Sequence, residues 1–151
     1  VQEGDVTDAY TTWTRLRESM GQLGAVLPGP VEGLALLQRA AFVEGELPPR
    51  TKELIAVAVS VALPEDRLIP VHVHDALSTG ATEQEIMEAV AVAILMGGAT
   101  AAVRATEVLD AIGTFRGSGT AVRHATMRAA AERAGLGHVF YGQDGDDLGL
   151  G

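Results

Sequence analysis

The chain has 151 residues, nearly half of them hydrophobic (47%), enough for one globular domain with its own core over 1–151. A formal charge of −9 argues against a surface that grips nucleic-acid phosphates. With no cysteine, disulfides, thiolate metal sites and thiol nucleophiles are excluded.

The pattern reads as helices from end to end. Asp5 or Thr7 is placed to cap a first helix ending near Gly21, with Tyr10, Trp13, Leu16 and Met20 inward at helical spacing. Gly24 to Pro30 reads as a break. A second helix is expected from Val31 to Val43, burying Leu34, Leu37, Ala41 and Phe42. The third, Arg50 to Leu63, follows Pro49 and is apolar almost all round after Glu53, which predicts burial on most sides.

Pro64-Glu65-Asp66 looks like the start of a fourth helix ending near Gly80, in which Pro70 must either make a kink or move the true start. Thr82 with Glu85 three residues on has the pattern of a capping box for a fifth helix to Met96. Gly97-Gly98 should end or bend it, so the apolar run "AVAVAILM" (89–96) falls short of a bilayer crossing. No leader segment is recognisable, and a cytoplasmic protein is the expectation. A sixth helix is expected over about 100–112 and a seventh over 121–134. A Gly-rich tail (135–151), apolar at "HVFY", should pack on the body or on a second copy of the chain. The fold class is all-α, a compact bundle of six to seven helices.

Chemistry concentrates in "PVHVHDALSTGAT" (70–82). At about 100° per residue His72 shares a largely apolar face with Leu68, Ile69, Ala76 and Thr79. Glu53, one helix earlier, is placed to reach that imidazole, hold its tautomer and tune it for proton transfer near neutrality. Alternatively His72 is a packed core histidine and Glu53 a first-turn charge favouring the helix dipole. His74 points away from His72 on a regular helix, and the two share a face only in an extended segment, so no metal is assigned. Arg50, Arg67 and Arg104 are candidate carboxylate binders, Arg67 the best placed. His124 and His138 read as surface residues, and "QDGDD" (143–147) lacks the ligand ladder of a calcium loop.

Residues 47–112, with Glu53, the histidine nineteen residues later and "GATEQEI" (80–86) after it, resemble the carboxymuconolactone decarboxylase and alkylhydroperoxidase D-like superfamily. The resemblance implies an alkylhydroperoxidase D-like helical bundle assembled as trimers or hexamers. Peroxidase-type members place a CxxC where this chain has Glu65 and Leu68, so the absent thiols exclude that redox chemistry. "EDRLIPVH" (65–72) is more similar to the decarboxylase branch, which is implied to act on carboxylated lactones without metal or organic cofactor. Those decarboxylases usually carry Arg two residues after the histidine, where this chain has the titratable His74.

The expectation is a cofactor-independent acid–base enzyme acting on a small cyclic or enolisable molecule. His72 is its acid or base, Glu53 the orienter and His74 a second proton carrier; Arg67 and Glu65 contact the substrate. A non-catalytic ligand-binding member and a His-x-His metalloprotein are the competing readings. Partners beyond the substrate are other copies of the chain, because seven short helices leave apolar surface uncovered.

Overall fold

The computed structural model describes residues 8–65 and 67–116. The expected seventh helix, the tail, His124, His138 and the "QDGDD" stretch lie outside the described residues.

α1 (Ala9–Val26) begins at Asp8, whose carboxylate accepts from the Thr11 amide at 2.7 Å. Asp8 rather than Asp5 or Thr7 is therefore the cap, and it satisfies one of the amides that the first turn leaves without an internal partner. Trp13 is buried as expected, with Tyr10 and Leu16 packed against the core beside it. The expected break at 24–30 contracts to Leu27, which closes α1 and opens α2 (Pro28–Phe42). The prolines there sit in the first turn, where a missing N–H costs nothing.

α2 turns differently from its expected orientation. Val31 and Ala35 are buried and Gln38 and Phe42 half-buried, whereas Leu34, Leu37 and Ala41 are exposed. Apolar residues occur on both sides of this helix, so periodicity alone did not choose the inward one. Lys52 ties down its end, donating from Nζ to the Ala41 and Val43 carbonyls at 2.9 and 2.6 Å.

α3 (Pro49–Ala62) buries Glu53, Val57, Ser60 and Val61, but Ile55 and Val59 are about half exposed, so the expected burial on most sides is corrected to one side. α4 (Leu68–Ser78) starts late enough to hold Pro70 in its first turn, so the proline sets the start and makes no kink. It ends at Gly80, whose φ of 88° is left-handed. The Gly80 and Ala81 amides bond back to the Leu77 and Ala76 carbonyls, closing the last turn.

The Thr82–Glu85 capping box forms as expected. Thr82 Oγ1 accepts from the Glu85 amide at 3.1 Å, and Glu85 Oε2 from the Thr82 amide at 2.8 Å. It starts α5 (Glu83–Arg116), which continues beyond Gly97-Gly98 through a kink where Gly98 takes φ 66°, ψ −152°. The fifth and sixth expected helices are thus one bent element of 34 residues. By length and composition it is long and apolar enough to cross a bilayer, which corrects the expectation drawn from 89–96 alone.

α3, α4 and α5 pack on one another in pairs, α1 lies across α4 and α5, and α2 bridges α1 and α3. The core they share includes Val57, Val61, Ile69, Val73, Ile86, Val90 and Val108. Five helices, all α, make up the described residues.

Candidate active site

Glu53 lies one turn into α3, and His72 sits just past the first turn of α4. Where these helices pack, Glu53 Oε2 stands 3.0 Å from His72 Nδ1. Glu53 is buried, and the His72 side chain is 17% exposed. Phe42, at the end of α2, stacks on the imidazole with ring centroids 6.1 Å apart. Three helices thus fix one titratable pair.

Asp75 was missed in the sequence. It follows His72 by three residues, so helical spacing puts it on the same face. Donor atoms of Glu53, His72 and Asp75 all lie within 4.8 Å of one another. That i, i+3 spacing was the available signal.

His74 faces the other way, as expected for a helix. Its ring is 2% exposed, between Trp13 at 5.3 Å and Phe115 at 5.1 Å. Nδ1 nonetheless stands 2.8 Å from Asp75 Oδ1, so His74 connects to the cluster through that carboxylate. α4 is helical at both histidines, and the extended segment that would let them share an ion does not form.

Glu65 and Arg67 occupy the exposed loop before α4 and bond to each other. Arg67 Nε and Nη2 each donate to the carboxylate at 3.0 Å. Arg50 pairs with Glu85 at 3.6 Å, and Arg104 donates to the Val61 and Ala62 carbonyls at 2.8 and 3.0 Å, closing the end of α3. The structure therefore unites Glu53, His72 and His74 through Asp75 and keeps Glu65 with Arg67. An open groove lined by Pro64, Ala99, Thr100, Val103 and Arg104 contains none of the clustered carboxylates or imidazoles.

Burial pushes the Glu53 carboxyl above the ordinary carboxylate range. The hydrogen bond to His72 opposes that shift, and the neighbouring Asp75 charge adds to it. Burial is the larger effect, so the net shift of Glu53 is upward.

Residues 31–111, more than half of the chain, match the carboxymuconolactone decarboxylase family. The chain belongs to that family. An uncharacterized protein from Cupriavidus necator is 35% identical over 103 residues, covering 68% of this chain and 91% of that protein. An uncharacterized protein encoded in a cox locus of Paracoccus denitrificans is 38% identical over 82 residues, covering 54% of this chain and 74% of its own. The fold is similar to the apo crystal structure of a carboxymuconolactone decarboxylase family protein from Legionella pneumophila. The TM-score is 0.69 at 28% identity, over 74% of this chain and 98% of that one. Family membership agrees with the resemblance read from residues 47–112. The chain contains no cysteine.

Proposed function

We propose that this chain is a cofactor-independent acid–base enzyme, a carbon–carbon lyase or isomerase acting on a small cyclic lactone-like or enolisable metabolite. The observation that carries the reading is the 3.0 Å contact between buried Glu53 and half-buried His72. With Nδ1 engaged by the carboxylate, Nε2 is the nitrogen left for substrate. Taking a proton there makes an imidazolium, and the adjacent carboxylate stabilises that charge. Decarboxylation needs the same pair in reverse, because the carbanion left by departing carbon dioxide is quenched by a proton from Nε2. Family membership supports this choice, since the family includes decarboxylases.

His74, through Asp75, supplies a second proton store in this reading. Arg67 attracts an anionic substrate at the helix entrance, and Glu65 holds its guanidinium in place. Copies of the chain assemble through the apolar surface left on α2, α3 and α5.

Incubation with a carboxylated muconolactone, following loss of the lactone and release of carbon dioxide, tests the decarboxylase form of the proposal. Solvent deuterium incorporation into a panel of enolisable lactones tests the broader form. Turnover or exchange abolished in folded His72→Ala supports the reading. Neither activity in folded wild-type protein defeats it.

A further inference from the structure

We propose that Glu53, His72 and Asp75 form a binding site for a divalent first-row transition metal, in which the cation sits between the Glu53 carboxylate and the His72 imidazole. The inference goes beyond the acid–base reading and does not depend on it.

Two ligand atoms on one ion, each about 2.1 Å away, are about 3 Å apart at the right angles of an octahedral ion and about 3.4 Å apart on a tetrahedral one. Glu53 Oε2 and His72 Nδ1 already stand 3.0 Å apart. Opposite ligands on an octahedral ion are separated by about 4.2 Å. The third donor, from Asp75, is within 4.8 Å of both, so small side-chain rotations complete a three-point set. One imidazole and two carboxylates are donors that zinc, manganese and iron(II) accept without any thiolate.

Charge points the same way. Two carboxylates share this space, one of them buried, and the ionisable groups acting on Glu53 are Asp75, His72 and His74. A divalent ion neutralises the pair of negative charges that burial and proximity otherwise penalise. His74 contributes from outside the set. Its Nδ1 holds Asp75 Oδ1 at 2.8 Å, and the Trp13 and Phe115 rings fix its plane, which is how a bonded neighbour orients a ligating carboxylate. The Phe42 ring stacked on His72 shields the site from water on one side.

A metal ion on His72 Nδ1 and Glu53 Oε2 separates the carboxylate from the imidazole that it would otherwise support during proton transfer at Nε2. The ion therefore acts as a regulatory ligand of the pair, and zinc should inhibit any activity measured in chelator-treated protein.

The test is calorimetric titration of chelator-dialysed, tag-free full-length protein with zinc chloride. One saturable high-affinity site per chain is expected. Asp75→Asn should weaken it about tenfold or more, and Glu46→Gln, an exposed acid elsewhere, should leave it unchanged. Imidazole nitrogen shifts in wild-type protein provide a readout that needs no variant, with His72 Nδ1 moving in step with zinc. No saturable site, binding undiminished in folded Asp75→Asn, or shifts at other histidines with His72 unmoved would each overturn the proposal. None of these measurements involves turnover, so a failed acid–base reading leaves them interpretable.

Discussion

At the scale of single residues, the Glu53–His72 contact makes two separable predictions. Glu53→Gln keeps the shape and a hydrogen-bonding group but cannot stabilise an imidazolium, so turnover should fall by about a hundredfold or more while the protein stays folded. Steady-state kinetics beside far-ultraviolet circular dichroism checks both halves. The second concerns stability. The Glu53 carboxyl is raised by burial, so it binds its proton more tightly in the folded chain than in the unfolded one. Its contribution is complete below the unfolded pKa and is lost as pH rises through the folded one. Wild-type protein should therefore lose stability relative to Glu53→Gln as pH climbs from the ordinary carboxylate range through the raised value. Urea unfolding of both proteins across that range measures the gap; a gap independent of pH would mean that burial does not perturb Glu53. The pairing itself was legible in the sequence, because a lone carboxylate opening an apolar helix needs a partner. Asp75 was not, because an acid beside His74 looks like an ordinary polar position until the α3–α4 packing brings Glu53 against it. Nor did the sequence reveal that Arg67 and Glu65 bond to each other at the surface, since loop geometry decides that.

At the scale of the helix, the two adjacent glycines of α5 do different work. Gly98 has a backbone conformation closed to side-chain-bearing residues, yet a Cβ there would meet nothing within 4 Å. Gly98→Ala should therefore cost about 1–3 kcal/mol through backbone strain alone. Gly97 has no positive φ, but a Cβ there would lie 2.7 Å from the Ala101 Cβ and 3.6 Å from the Ala62 backbone. Gly97→Ala should cost a similar amount, about 1–3 kcal/mol, by overpacking α5 against itself and α3. Thermal unfolding measures both. Shaving Ala101 to Gly should rescue Gly97→Ala and leave Gly98→Ala unrepaired, and rescue of both would refute the distinction. The sequence announced the break through this Gly pair, as it announced the capping box at Thr82 and the glycine stop at Gly80, because these signals are local. The turn of α2 was hidden for the opposite reason. With Leu34, Leu36 and Leu37 on one side and Val31 and Ala35 on another, only contact with α1 and α3 chooses the buried stripe.

At the scale of the molecule, the described residues leave much apolar surface uncovered. On α5 alone Val92, Leu95, Met96 and Val103 are 59%, 81%, 79% and 70% exposed. Leu34, Leu36 and Leu37 on α2 and Ile55 and Val59 on α3 add to it. Scattered exposed leucines need no explanation, but a run of them along a bent helix is the composition of an interface. A second copy of the chain and a bilayer are both environments that would cover the α5 surface, and the helix has the length for either. Several features favour the copy. Arg104, midway along the second half of α5, is bonded to the end of α3, and acids at Glu83, Glu85 and Glu88 open the first half. The Gly98 kink also stops α5 from forming a straight span. Protein released without detergent should therefore sediment as a closed oligomer, with the trimer or hexamer implied by the family resemblance as the expected size. Leu95→Glu, at a position 81% exposed among the described residues, should shift it towards monomer with its helical spectrum intact. Analytical ultracentrifugation of both proteins decides the matter. A wild-type monomer that remains soluble at high concentration would sink the self-association reading. Protein recovered only with membranes would assign α5 to lipid instead.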